Sequence, residues 1–434
     1  MPNTLHQIPT AKSLPLLGSG LTIYRQGLQA FALDNWHKLG QVFRAKIMTT
    51  EFVFLAGPEA NMFFTKNEQE YFSPKEVWYD FAKETGTNMF LATLEGRDHV
   101  NLRKITKKPY SRQFIEKKWD YFWSITEKYL AENENQNKPI FPMMQELVCE
   151  QIGLIALNSS SVDQISNLST FLSVLLGVTT GVYPKLALKA PNYVMAKKQV
   201  LALGRSIVEE HHTTQREDPD VLDYFIKACK TDPDLVKESD LVLNAIGPYI
   251  AGIDTAASSL AFIVYAMTHH KVQNQVKEEL LQLEDFSASS VQKAAALHAL
   301  VSETMRKYIT APAIPRTAKI DFEFGGYQIP KGQRLMIASG VAHFSEKFYP
   351  EPDRFILERC MPPRMEHRKA GAWVPFGLGA HTCAGAGFAK VQLAATIACM
   401  LSKWTAHTNE KLELTVGGAI YPSKKLTGGW KRDA

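Results

Sequence analysis

Apolar and polar side chains first alternate over residues 42–47, where Phe43, Ala45 and Ile47 point one way and Arg44 and Lys46 the other. That period of two predicts a half-buried strand over 41–47, paired with a second over 51–55 and stopped by Gly57 and Pro58. From there to about residue 310 the period is helical. Val272, Val276, Leu280 and Leu283, for example, share one face, with Lys and Glu opposite. Polar stretches at 132–138 and 216–220 read as surface loops. Short strands are expected again at 320–324, 327–329 and 334–338, the first two joined by Gly325 and Gly326. The Pro-, Arg- and Glu-rich stretch 349–372 is expected to be irregular, and a last helix to run from about Ala386 to Leu401.

One stretch, Leu241 to Thr268, carries a single charge, Asp254, near its middle. A charge at the centre of a membrane-spanning helix costs about 2.5–3.5 kcal/mol. With Pro248 and Gly252 close by, the stretch reads as a long helix buried in protein, so no membrane span is expected. No internal repeat or long linker divides the chain. The expectation is one domain over 1–434, mainly α, with a smaller β portion assembled from strands at about 41–56 and 309–340.

Composition narrows the function classes. Hydrophobic residues are 45% and charged residues 21%, ordinary globular usage that excludes a disordered or coiled-coil chain. The net charge of +5 comes from interspersed acids and bases, so no nucleic-acid partner is implied. Residues 1–20 lack a basic region followed by an apolar run, so a cytoplasmic protein without a leader is expected. Five cysteines at wide spacings, with no C-x-x-C, argue against disulfides and structural zinc and for a reducing compartment.

Cys383 stands apart from the other four. It lies in Pro375-Phe376-Gly377-Leu378-Gly379-Ala380-His381-Thr382-Cys383-Ala384-Gly385, followed by an apolar run at helical spacing. The glycines permit a tight loop with positive φ. Free N–H groups where the loop enters the helix favour a thiolate, and Phe376 can shield it, as suits a sulfur bound to a metal or cofactor.

The phrase from Phe376 to Gly385 resembles the haem-binding loop of the cytochrome P-450 family of haem-thiolate monooxygenases, and further landmarks follow in order over about 40–430. The resemblance implies that fold, haem b as cofactor, and Cys383 as axial ligand of its iron, with Phe376 and Gly377 against it. Glu303 and Arg306, by themselves an i, i+3 ion pair, resemble two members of the family's structural triad; Arg354 of Pro352-Asp353-Arg354-Phe355 is the expected third, with Lys307 leaving the local packing open. Burying two haem propionates requires cations and donors, for which the resemblance offers His99, Arg103, Arg316 and His381. Asp254 and Thr255 match the oxygen-activating pair: Thr255 would hold a water and Asp254 relay protons, in a groove opened by Gly252 and Pro248.

Segments matching the family's substrate-contact regions are apolar, including Trp78, Phe90, Leu91, Ile250, Ala251, Ile314 and Ile420. They imply a lipophilic substrate: fatty acid, terpenoid, steroid or polyketide. Dioxygen is the co-substrate, and electrons are expected from a ferredoxin and its reductase. That partner would dock on a basic face of Arg103, Lys104, Lys107, Lys108, Arg112, Arg364, Arg368 and Lys369. A monomer is expected. Two other readings stay open: a haem-thiolate peroxygenase or isomerase, and a non-enzymatic haem gas sensor.

Overall fold

The computed structural model describes residues 4–14, 18–47, 50–179, 181, 183–214, 218–409, 411–416 and 419–433. Arg216 and Glu217 of the expected 216–220 loop lie outside the described residues. The first strand pair forms as the alternation requires, Val42–Ile47 antiparallel to Thr50–Ala56, with Phe43 opposite Phe54 and their rings stacked 4.8 Å apart. Arg334–Ala338 then joins in parallel, Val53 opposite Leu335. Ile314–Ala318 and the two-residue strand Phe72–Ser73 complete a five-stranded sheet. Both ends of the chain therefore meet in one sheet, as expected.

The hairpin Phe322–Phe324 to Tyr327–Ile329 turns on Gly325 and Gly326, with φ of 60° and 81°, which glycine adopts without strain. Further strands are not legible in the sequence. Trp404–Thr408, Thr427–Arg432 and Lys138–Pro139 form a three-stranded sheet, and Leu414–Val416 pairs with Ile420–Pro422. They show no clean alternation. Gly428 and Gly429 are there because neighbouring backbone comes too close for a Cβ: one would stand 2.1 Å from the His407 carbonyl, the other 1.9 Å from that of Gln136.

The apolar stretch forms one helix, Glu238–His269, packed against Ile140–Ala156 and Pro191–Thr213. It is long and apolar enough to cross a membrane, yet 83% of its most apolar window is buried inside the protein, and it anchors the main hydrophobic core. The last helix runs Ala386–Lys403 and is buried along most of its length.

Candidate active site

Residues 375–385 lead from the irregular segment into that last helix. Gly377 and Gly379 have φ of 74° and 69°, as expected of them. A 3-10 turn covers Gly379–His381, and the Cys383 N–H donates to the Phe376 carbonyl at 2.8 Å, closing the loop. The Cys383 side chain is accessible, whereas Cys149, Cys360 and Cys399 are buried. Even so, protein crowds it enough that burial pushes its thiol pKa up, against the Gly385 backbone N–H and the Arg103 guanidinium. The sulfur is thus accessible yet surrounded by protein. The Gly385 N–H and Arg103 pull toward the thiolate, and burial opposes them.

His99 and Arg103 lie one turn apart on the helix Gly96–Lys107. The His99 ring stacks on that of His381, centroids 4.0 Å apart. His381 Nδ1 meets Glu68 at 2.7 Å and Nε2 meets the Leu94 carbonyl at 2.8 Å, so acceptors face both ring nitrogens. Arg316 donates through Nη2 to Glu68 at 3.0 Å and through Nη1 to the Pro315 carbonyl. Burial, with His381 and Arg103 adding positive charge nearby, pushes His99 down to about 4, so it is a neutral ring near pH 7. Within this group, His99 Nε2 and Arg316 Nε are buried without a protein hydrogen-bond partner. A surface cavity of about 280 Å³ opens beside His99, between Gln69, Arg103, Lys107 and Ala380. A larger groove of about 490 Å³ lies between the 86–89 segment and the start of the long helix, and no expected site residue lines it.

Glu303 and Arg306 form the expected pair, bidentate at 2.7 and 2.8 Å and fully buried. The third member of the expected triad is wrong. Arg354 is exposed and pairs with Glu351 at 2.8 Å; only its carbonyl touches the triad, accepting from Arg306 Nη2 at 3.1 Å. The buried cation on Glu303 is Arg359, at 3.5 Å, which also donates to Glu366 at 3.0 Å. A sequence signal existed: Arg359 sits in a 3-10 turn between Leu357 and Cys360, both buried, so its side chain is drawn inward. Arg306 further donates to the carbonyls of His343 and Pro352. His343 Nε2 accepts the Val374 N–H at 2.8 Å, which ties this network to the start of the cysteine loop. Lys307 reaches over to pair with Asp353 at 3.7 Å.

On the long helix, buried residues run from Leu243 to Met267 except at Ala251, which is exposed, and at Gly252 and Thr255, which are half-buried. Asp254 is buried and accepts from the Gln145 amide at 2.8 Å; burial pushes its carboxyl pKa up, against that hydrogen bond. The Thr255 hydroxyl donates back to the Ala251 carbonyl at 2.8 Å. Gly252 does not open the expected groove. A Cβ there would stand 2.6 Å from Ile152 Cδ1, so the missing side chain admits the neighbouring helix. Phe90 packs on Gly247, one turn before Ala251, and continues an aromatic chain through Phe81 to Trp78. Leu91 is half-buried against the same core. Ile314 stands by Gly377 of the cysteine loop. Ile420 is bound to the long helix by the Ser258 hydroxyl on its carbonyl, and to Thr310 through its N–H. Sequence reasoning missed Lys390, whose ammonium lies 5.6 Å above the rings of both Trp373 and Phe376, and Glu68.

An accessible sulfur, unpartnered buried nitrogens on His99 and Arg316 with Arg103 close by, and an apolar helix with Ala251 exposed fit a flat, dianionic macrocycle carrying a metal. The profile of the cytochrome P450 family matches residues 8–415. The chain belongs to the cytochrome P450 family. It is a cytochrome P450 monooxygenase, with haem b as cofactor, and it acts on a substrate with dioxygen and electrons from redox partner proteins. A tomato (Solanum lycopersicum) abscisic acid 8'-hydroxylase is 25% identical over 89% of this chain and 82% of its own length. A putative cytochrome P450 120 from Synechocystis is 23% identical over 98% and 97%. The retinoic acid-bound structure of cyanobacterial CYP120A1 superposes over all of both chains with a TM-score of 0.88 at 21% identity, which shows the shared fold.

Proposed function

We propose that this single-domain cytochrome P450 hydroxylates a lipophilic small molecule, with Cys383 as the axial haem ligand. The observation that carries the reading is the Cys383 sulfur, accessible yet walled in at the end of a loop built to present it. Haem b, held there, supplies the activation of dioxygen for insertion of one oxygen atom into a C–H bond. Arg103, Arg316 and His99 hold its carboxylates, Arg316 and His99 through their unpaired nitrogens. Phe376 and Gly377 flank the sulfur, and Glu303, Arg306 and Arg359 brace the segment that carries it.

Asp254, buried on the long helix with its carboxyl pKa raised by burial, is placed to relay a proton. Thr255 keeps its own proton on the Ala251 carbonyl, which leaves its oxygen lone pairs to accept from a water and fix the route of delivery. Trp78, Phe90, Leu91, Ile250, Ala251, Ile314 and Ile420 supply an apolar lining and no fixed cation, as a lipophilic ligand requires. The five free cysteines support a cytoplasmic location.

The electron donor is inferred to be an acidic ferredoxin. Lys104, Lys107, Lys108, Arg368 and Lys369 are exposed, and Lys390 feels both Arg112 and His367 across the Phe376 face. Arg103 turns inward to Cys383, and Arg112 and Arg364 are engaged by Glu116 and Glu366. Lys390→Glu should slow ferredoxin-driven turnover at low salt and recover as salt rises; the same loss at every ionic strength rejects this docking face.

The test of the main reading is spectroscopic. Cys383→Ser should abolish the red-shifted carbonyl band of the reduced protein, and a retained band would remove Cys383 from the iron. In the parent, Thr255→Ala should keep reductant consumption but release it as hydrogen peroxide; unchanged coupling would take Thr255 out of the proton route. Spectral titration with lipids, steroids and terpenoid acids, the last prompted by the tomato relative's name, identifies the substrate class.

A further inference from the structure

Glu68 is a carboxylate where the haem reading asks for cations. It lies on the helix Pro58–Tyr71 and is 2% exposed. One oxygen takes Arg316 Nη2 at 3.0 Å and His381 Nδ1 at 2.7 Å; the other takes the His381 backbone N–H at 3.2 Å. No donor in this set is idle, and each belongs to a residue beside the cofactor site. The fit is close: a Cβ on Gly379 would stand 2.1 Å from the Glu68 carboxylate, so the cysteine loop takes glycine there to let the acid in. Phe64, one turn earlier on the same helix, lies under the Arg316 guanidinium at 5.7 Å. Arg316 is thereby held by Phe64 below, by Glu68 on Nη2 and by its own chain on Nη1. That leaves Nε as its unpaired donor.

We propose that Glu68 is a positioning residue that pins the cysteine loop through His381 and aims Arg316 at a haem carboxylate. It rests on the reading of Cys383 as the haem ligand. Glu68 does not compete for the cofactor's cations. It orients them, because an arginine fixed at two of its nitrogens loses little freedom when the third engages a ligand. The same acid also places a negative charge on Arg316 and His381, the residues that would hold the haem, which would disfavour adding an electron to it.

Haem transfer to apomyoglobin and the ferric/ferrous midpoint potential separate these roles. Glu68→Gln keeps the size and removes the charge. It should release haem roughly 10- to 100-fold faster, as expected for losing a charge-assisted hydrogen bond, and its potential should rise. Glu68→Asp keeps the charge but shortens the reach; its potential should stay near that of the parent while haem release still accelerates. Haem release from Glu68→Gln that is unchanged or slower overturns the proposal, since the acid would then be a bystander or a competitor. So does an unchanged potential with only a lower melting temperature, which is the mark of a structural role alone. Absence of the red-shifted carbonyl band in the parent would instead defeat the Cys383 reading on which the proposal stands.

Discussion

The cysteine loop is held by two clusters of buried charge that differ in how completely they are satisfied. At its start, Glu303, Arg306, Arg359 and Glu366 pair with one another and with the carbonyls of His343, Glu351 and Pro352, and His343 passes the connection to Val374. Arg306 and Arg359 are both fully buried there; all the hydrogen-bonding nitrogens of Arg306 have partners, and Arg359 Nε, without a hydrogen bond, lies 3.5 Å from a Glu303 oxygen. In the middle of the loop, Glu68, His381, Arg316, His99 and Arg103 form the second cluster, and two of its buried nitrogens have no protein partner. A buried polar nitrogen left bare costs about 1–3 kcal/mol; Arg359 Nε has the Glu303 carboxylate at 3.5 Å, whereas Arg316 Nε and His99 Nε2 are left for another group to occupy. The first cluster is scaffold and the second is a receptor.

The largest effect that can break this distinction is on folding. Arg359→Met removes one cation from the closed network and leaves Glu303 and Glu366 short of charge, which should cost about 3–5 kcal/mol of stability in denaturant titration. Arg354→Ala, the residue that the sequence motif favoured, should leave the unfolding midpoint unchanged; a large loss there would restore it to the triad. The second effect is on cofactor binding. Arg316→Met takes a donor from the receptor cluster but leaves Glu68 with His381. It should accelerate haem loss roughly 10- to 100-fold and lower the stability of the haem-free protein by less than Arg359→Met does. The reverse order would mean that the two clusters had been assigned the wrong roles.

The smallest effect is on pH dependence and involves a neutral histidine in each cluster. Burial pushes His343 down to about 3 and His99 down to about 4. An unfolded histidine titrates near 6.5, so below that pH the unfolded chain takes up protons that the folded chain refuses. The contribution of both rings is fully present above pH 6.5 and is lost progressively as pH falls toward 4 and then 3. Denaturant titrations of the loaded enzyme between pH 7 and 5 should show stability falling with pH. His343→Gln should flatten that slope whatever it does to stability at pH 7. An equal slope in the variant would mean that the buried ring is not neutral.

Much of the site is legible along the chain because its chemistry is local. Two glycines, a histidine, a cysteine and a third glycine within nine residues specify a loop, its positive φ angles and its sulfur, and the folded chain places them accordingly. The single acid in an apolar stretch likewise marked Asp254 correctly as buried and on the long helix. Reading failed where a side chain's partner is remote. Gly252 looked like room for a ligand and proved to be room for Ile152, a hundred positions away. Nothing in the local sequence marks Lys390, which the fold sets over Trp373 and Phe376.

By itself the amino-acid order determined a mainly α protein with a smaller β portion drawn from two distant stretches, a haem-type cysteine loop and a buried acid next to a threonine, because each is written in backbone propensity, hydrophobic period or short spacing. Only the tertiary structure decided which arginine meets Glu303 and that Glu68 meets His381 across 313 positions. Ion pairing depends on distance and burial, and neither can be read from spacing once the chain has folded back on itself.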